Sequence, residues 1–194
     1  MQLSNQDKKV LLELARNSIN FGLDSGKPLT INDNDFHNYN NELQVEAACF
    51  VTLTINNQLR GCIGHLQAIQ PLVKDVAENA YSAAFRDPRF PALTANELSE
   101  CEIEISILTP PEPISFTSEQ DLLNQIQPQV DGLILEDGYK RGTFLPSVWE
   151  SLPDKQQFWE HLKMKAGLPV NHWSDTVKVL RYHSLAFSER GLVN

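Results

Sequence analysis

Apolar residues recur at helical spacing near the start of the chain. Ser4 comes first and Asp7 stands three residues later, which is the spacing of a capping box on the first turn of a helix. The apolar positions that follow share the i, i+3, i+4 spacing of one helix face: Val10, Leu11, Leu14, Ala15 and Ile19. We therefore predict a helix that begins after Ser4 and ends at Gly22 or Gly26, because glycine is preferred just past a helix.

Alternating side chains run from Ala47 to Ile55. A period of two places one set of side chains on each face of a β-strand. Asn56 and Asn57 follow, and asparagine tolerates the positive φ angles of a two-residue turn. The pattern predicts a β-hairpin whose return strand begins at Gln58. The first strand presents one face made of Cys49, Val51, Leu53 and Ile55.

Helical and strand patterns alternate irregularly through the remaining chain. Residues 32–44, rich in Asn and Asp, predict a loop or a weak short helix. Further helices are predicted over 71–85, after Thr94, after Ser118 and over 154–167, and strands over 101–109, 132–136, 140–144 and 176–187. Irregular alternation with hairpins favours an α+β fold, with a mixed or antiparallel sheet and flanking helices, over a doubly wound parallel sheet.

Charge is distributed unevenly along the 194 residues. The sequence has 16 Lys and Arg against 25 Asp and Glu, and this net charge of −9 argues against binding to nucleic acid or an anionic membrane. Ten acidic residues and no basic one lie from Glu97 to Asp137, so the rest of the chain carries a charge of +1. The net charge therefore does not exclude a small anionic ligand.

Length and cysteine content narrow the class of protein. The length suits a single domain over residues 1–194, or a compact pair of units. No apolar run approaches the roughly 20 residues of a membrane-spanning helix, and the start resembles no secretory leader. Cys49, Cys62 and Cys101 form no CxxC pair, which is typical of reduced thiols. We expect a cytoplasmic protein without membrane contact.

Residues 60–65, RGCIGH, are the most unusual segment of the chain. Gly61 and Gly64 stand inside a predicted strand, where glycine indicates a bend or a close backbone approach. Cys62 lies between them, and a nearby Arg60 or His65 would lower the pKa of its thiol and make it a nucleophile. The alternative is a buried structural cysteine in a glycine-rich bend, because free cysteines are often buried.

Cys62 and His65 also have a spacing that metal ligands use. Two ligands do not make a metal site, and the other histidines offer no obvious third ligand: His37, His161, His172 and His183. The chain contains neither of the glycine-rich motifs that bind phosphate groups in nucleotide-binding proteins. We therefore expect no metal and no cofactor.

Residues 86–89 place two arginines around an aspartate in a turn stiffened by proline. Arg86 and Arg89 are candidates for a clamp on carboxylate or phosphate, since a guanidinium group binds such anions through paired hydrogen bonds. Alternatively, Asp87 caps the turn and the arginines pair with surface carboxylates. Thr143, in the predicted second hairpin, is a candidate hydrogen-bond donor to the same ligand.

Together these segments resemble the AMMECR domain family, including its members in the AmmeMemoRadiSam system. The resemblance extends from about Val10 to Phe187. It rests on LRGCIG at 59–64, AAFRDPRF at 83–90, DGL at 131–133 and RGTFLP at 141–146, with support from FW at 158–159 and KAGL at 165–168.

The resemblance implies an α+β domain made of a larger and a smaller subdomain, packed around a cleft at which residues 59–64 lie. It implies a cytoplasmic or nuclear protein, linked to Memo-type proteins and radical S-adenosylmethionine enzymes as partners. It implies no particular reaction and assigns no role to His65.

Two functions remain open from the sequence. In the first, Cys62 acts as a nucleophile on a small anionic ligand, or binds it, and Arg60 stabilises the thiolate. The binding residues would be Arg60, Gly61, Gly64, Arg86, Asp87, Arg89 and Thr143. In the second, the same surface belongs to a non-catalytic module that docks a partner enzyme.

Overall fold

A computed structural model describes residues 2–192, so Met1, Val193 and Asn194 of the predicted domain lie outside the described residues. The chain divides into two compact units. Unit 1 comprises Met1–Leu108 and Leu185–Asn194, and unit 2 comprises Thr109–Ser184.

Seven α-helices and eight β-strands are present in the described residues. The helices are α1 (Asn5–Ser25), α2 (Asp33–Phe36), α3 (Asn41–Gln44), α4 (Leu72–Phe85), α5 (Ala95–Glu100), α6 (Glu119–Gln125) and α7 (Lys155–Lys165). The strands are β1 (Cys49–Ile55), β2 (Gln58–Gly64), β3 (Cys101–Leu108), β4 (Glu112–Pro113), β5 (Gly132–Asp137), β6 (Lys140–Phe144), β7 (Lys178–Tyr182) and β8 (Ser184–Ser188). They form two four-stranded sheets, β2-β1-β3-β8 and β4-β7-β5-β6. The predicted α+β class is confirmed.

The first helix has the predicted ends. Ser4 Oγ accepts the Asp7 N–H at 3.1 Å, and the Asp7 carboxylate accepts the Ser4 N–H at 3.0 Å, which completes the capping box. Gly26 closes the helix with a φ of 68°. Gly22 stays inside the helix, where a Cβ would lie 2.7 Å from the Tyr81 ring.

The first hairpin also forms as predicted. Asn56 and Asn57 take φ angles of 52° and 62°, and β1 pairs with β2 in antiparallel register. The face of β1 that carries Cys49, Val51 and Leu53 is fully buried. Side chains of α1, α4 and β3 complete the hydrophobic core on that face.

Unit 2 has its own core, built on aromatic side chains. Trp149 and Phe158 stack with ring centroids 3.6 Å apart, and both are fully buried. Lys163 is also buried, and its ammonium group donates to Glu119 and to the Val170 carbonyl. A buried charge needs such partners, so this lysine has a structural role.

The prediction of a single closing strand over 176–187 is wrong. The structure divides it into β7 and β8, which belong to different sheets. His183 separates them, and its backbone exchanges hydrogen bonds with Thr109, from the N–H to Oγ1 and from the Thr109 N–H to the carbonyl oxygen. A continuous strand pattern does not reveal a change of sheet, because the hydrogen-bond partners are distant in sequence.

No helix among residues 2–192 is long and apolar enough to cross a membrane.

Candidate functional site

Cys62 lies on β2, at one edge of the four-stranded sheet of unit 1. It pairs with Thr52 of β1, and Thr52 pairs in turn with Glu104 of β3. These three side chains share the face of the sheet opposite the core, because paired residues point the same way. Thr52 Oγ1 donates to Cys62 Sγ at 3.3 Å. Cys62 is partly exposed on a polar face of the sheet.

Asp87 and Arg89 bind the backbone of Cys62 from the loop that follows α4. The Cys62 N–H donates to Asp87 Oδ2 at 2.9 Å, and Arg89 Nη2 donates to the Cys62 carbonyl at 3.2 Å. The two side chains thus satisfy the outward backbone groups of an edge strand, as a neighbouring strand would.

The Asp87–Arg89 ion pair is bidentate. Arg89 Nε lies 2.9 Å from Asp87 Oδ1, and Arg89 Nη2 lies 2.6 Å from Asp87 Oδ2. The hydrogen bonds from Arg89, together with the Cys62 N–H, hold the pKa of the Asp87 carboxyl well below its usual range despite burial. The carboxylate is therefore ionised at neutral pH, and it occupies one edge of the Arg89 guanidinium.

Burial raises the pKa of the Cys62 thiol. The Thr52 hydrogen bond and the positive charge of Arg89 lower that pKa, while Asp87 and Glu104 raise it, and burial has the largest effect. The direction is opposite to the one that an activated nucleophile requires, and it agrees with the alternative of a buried structural cysteine. Burial is the main reason, and Asp87 opposes the effect of Arg89 on the thiol because the two side chains are paired. Nucleophilic attack by Cys62 stays a prediction.

Arg60 does not contact the Cys62 thiol. The register of β1 and β2 shifts at Arg60, which is the extra residue of a β-bulge. Its guanidinium pairs with Glu97, with Nε 2.8 Å from Oε1, and is 5.9 Å from the Phe90 ring centroid. Arg60 lowers the pKa of Glu97 to about 2. The predicted role of Arg60 as the stabiliser of a thiolate therefore has no contact to support it.

Close packing accounts for the two glycines around Cys62. A Cβ at Gly61 would lie 2.1 Å from the carbonyl oxygen of Ala83 in α4. A Cβ at Gly64 would lie 2.4 Å from both the Cys49 carbonyl oxygen and the Phe50 side chain. Both positions exclude a side chain for reasons internal to the fold.

Arg86 and Arg89 have different partners. Arg86 is exposed, and its guanidinium carbon lies 4.9 Å from the Tyr81 ring centroid. The Arg89 side chain is 53% exposed, and Nη1 makes no hydrogen bond among the described residues. Any anion clamp would use Nη1 of Arg89, since its other edge faces Asp87.

Thr143 belongs to unit 2. Its hydroxyl donates to the Leu133 carbonyl at 2.9 Å and lies 3.1 Å from the Tyr182 hydroxyl. Burial raises the pKa of Tyr182 to about 12. The Thr143 side chain therefore connects its own strand, β6, to β5 and to β7. Its contact with a ligand stays a prediction.

Sequence reasoning missed the partner of His65. His65 Nδ1 lies 2.5 Å from Asp75 Oδ1, in the first turn of α4. The available signal was an aspartate among the apolar residues of that helix. His65 and Cys62 do not form a metal site with a third ligand, because no group of three potential ligands occurs in the part of the chain that the structure describes.

Comparisons with known proteins extend over nearly the whole chain. The AMMECR1 family model matches residues 12–187. A protein from Methanothermobacter thermautotrophicus is 37% identical over 195 residues, which covers 97% of each chain. A protein from Methanocaldococcus jannaschii is 42% identical over 149 residues, which covers 73% of this chain and 72% of that protein. The crystal structure of an uncharacterised protein from Pyrococcus horikoshii superimposes with a TM-score of 0.88 at 33% identity, covering 98% of this chain and 95% of the other.

Proposed function

The chain belongs to the AMMECR1 family, and from that premise we propose that the surface around Cys62 and Arg89 binds a small anionic ligand. The observation that carries the proposal is the state of Arg89. Asp87 fixes one edge of its guanidinium, while Nη1 stays free of hydrogen bonds among the described residues. A fixed, half-exposed guanidinium loses little side-chain entropy when it binds a carboxylate or phosphate oxygen.

In this proposal Arg86, three residues before Arg89, adds an exposed positive charge, and Glu104, on the same sheet face as Cys62, adds a negative one. Asp87 neutralises Arg89 and Glu97 neutralises Arg60, so neither pair leaves an excess positive charge. Arg86 is exposed and has no ion pair among the described residues. Its attraction for an anion acts through solvent and is weakened by salt, so we expect modest affinity.

Cys62 takes part as a neutral thiol in this proposal. Burial keeps the pKa of the thiol above its ordinary value, so the protonated form prevails at neutral pH. A thiol donates a weak hydrogen bond, and the adjacent backbone is fixed by Asp87. Binding is therefore better supported than transformation of the ligand by Cys62.

Titration with inorganic phosphate and with citrate, followed by the backbone amide signals of the protein, tests anion binding. We expect the Cys62 and Arg89 signals to shift on titration, and Arg86→Gln to weaken the binding by about threefold at low ionic strength. Lys9→Gln, on an exposed position of α1, is the matched control for lost charge. Unmoved Cys62 and Arg89 signals at low ionic strength would refute the proposal.

The alternative is a non-catalytic module that docks a partner enzyme through the same surface. The family resemblance supports Memo-type and radical S-adenosylmethionine proteins as candidate partners, and the three free thiols suit a cytoplasmic location. Co-purification from the native host tests this. A partner of either class retained by wild type and lost in Cys62→Trp would favour docking, whereas equal recovery with both would exclude this surface.

A further inference from the structure

His65 and Asp75 form a second candidate site in unit 1. The Asp75 side chain is fully buried, whereas the imidazole of His65 is 32% exposed. The backbone N–H of His65 donates to the Cys49 carbonyl at 3.0 Å, which fixes the backbone just after β2. The histidine therefore has an ordered backbone, one buried partner and one exposed edge.

Hydrogen bonds around Asp75 determine which nitrogen of His65 carries the proton. The carboxylate accepts from the Cys49 N–H at 3.0 Å, from Asn79 Nδ2 at 2.9 Å and from Gln70 Nε2 at 3.2 Å. All three are N–H donors, so the carboxylate is the acceptor throughout. Asn79 Nδ2 also lies 3.5 Å from His65 Nδ1, but its shorter contact is to Asp75 Oδ2 at 2.9 Å. The Asp75 carboxylate, 2.5 Å from Nδ1, can only accept, so Nδ1 donates to it and the lone pair of the neutral imidazole lies on Nε2.

Two other histidines that pair with aspartates have the opposite orientation. His172 uses Nε2 to contact Asp137 at 2.5 Å, and His183 uses Nε2 to contact Asp131 at 3.1 Å. His65 is held through Nδ1, and no hydrogen bond to its Nε2 occurs within residues 2–192. Holding Nδ1 is the arrangement by which a carboxylate orients an imidazole for proton transfer at Nε2.

We propose that His65 and Asp75 form an acid–base dyad that takes water or a hydroxyl-bearing ligand at Nε2. The O–H proton moves to Nε2, and the electron pair of that bond stays on the oxygen, which becomes the nucleophile. Asp75 stabilises the resulting imidazolium by accepting the hydrogen bond from Nδ1. His65 is the group that touches the ligand, and Asp75 is a positioning residue. The dyad is independent of anion binding at Cys62.

Hydrolysis of p-nitrophenyl acetate is the direct test. His65 would take a proton from water, the water oxygen would bond to the ester carbonyl carbon, and p-nitrophenolate would leave. General-base catalysis typically contributes a hundredfold or more, so we expect His65→Gln to lower the protein-dependent rate by at least about tenfold. His37→Gln is the matched control, because His37 is exposed and outside these aspartate pairs. Equal rates in wild type and His65→Gln would overturn the proposal.

Nitrogen-15 NMR of the imidazole separates positioning from a purely structural contact. We expect the Nδ1–H tautomer of His65 in wild type, and a mixture of tautomers in Asp75→Asn. Because Asp75 is fully buried, its variant needs a check of folding by circular dichroism. If Asp75→Asn is unfolded, the wild-type spectrum and the hydrolysis rate of His65→Gln still test the proposal. An Nε2–H tautomer in wild type would refute the dyad.

Discussion

The Cys62 N–H donates to Asp87 Oδ2 at 2.9 Å, which joins β2 to a loop 25 residues further along the chain. Arg89 completes the contact by donating to the Cys62 carbonyl. Edge strands with free backbone groups tend to pair with other chains, and here side chains occupy those groups. The Asp-Pro-Arg turn therefore has a structural function, whatever ligand Arg89 also binds.

Replacing Asp87 by Asn should destabilise unit 1. Asn has one side-chain oxygen where Asp has two. It cannot accept from both Arg89 and the Cys62 N–H as the carboxylate does, so one donor loses its partner. Losing a hydrogen bond of this charged kind lowers the free energy of unfolding by about 2 kcal/mol. Urea denaturation measures the difference, and Asp24→Asn, at an exposed position of α1, is the control. Equal stability of Asp87→Asn and wild type would mean that the edge contact contributes little.

The Arg60–Glu97 pair should make stability depend on acid pH. Arg60 lowers the pKa of Glu97 from 4.5 to about 2. A lowered folded-state pKa contributes stability that is present above the unfolded pKa and lost as the pH falls towards the folded value. We therefore expect the stability difference between wild type and Glu97→Gln to shrink from about pH 5 to about pH 2. A difference independent of pH over this range would contradict the assignment.

Alkylation by iodoacetamide should report the raised pKa of Cys62. Since the thiolate is the reactive form, the rate should keep rising above about pH 9 and should not level off below about pH 8. Cys101, whose pKa is raised to about 11, and the fully buried Cys49 should react more slowly. Peptide mass spectrometry separates the three sites. A plateau below about pH 8 would favour an activated nucleophile over a buried structural cysteine.

Gly61→Ala should destabilise the contact between β2 and α4. The new Cβ would lie 2.1 Å from the Ala83 carbonyl oxygen, and neither backbone can yield without moving a strand or a helix. Overpacking of this kind costs about 3 kcal/mol. Thermal unfolding measures the loss, with Gly191→Ala as the control because its Cβ would be 3.6 Å from Ser188 Oγ. An unchanged melting temperature would refute the close-packing role of Gly61.

Elements with a local cause were predictable. The capping box of Ser4 and Asp7, the helix end at Gly26 and the turn at Asn56-Asn57 depend on residues within a few positions of one another. The closing strand was not predictable in the same way. Its two halves follow one alternating pattern, and only their pairing with different strands separates β7 from β8.

The sequence predicted which residues belong to the candidate site, and it did not predict which of them contact each other. Cys62, Arg89 and Asp87 do come together, but the arginine pairs with the aspartate and binds the backbone of Cys62. Arg60 is the residue that the register shift between β1 and β2 leaves unpaired, and its guanidinium binds Glu97. An arginine in the sequence predicts a carboxylate partner. The sequence contains several carboxylates, so it does not predict which one a given arginine binds.

The sequence by itself determined the longer helices, the hairpins, the α+β class and the segments in which chemistry is concentrated, because capping, alternation and turn residues act over short distances. Tertiary structure alone decided that burial raises the pKa of Cys62, that α4 excludes a side chain at Gly61, and that Asp75 orients His65. The pKa of Cys62 depends on the local dielectric environment, and the other two depend on distances between segments. The dielectric environment and these distances are set only when the chain has packed.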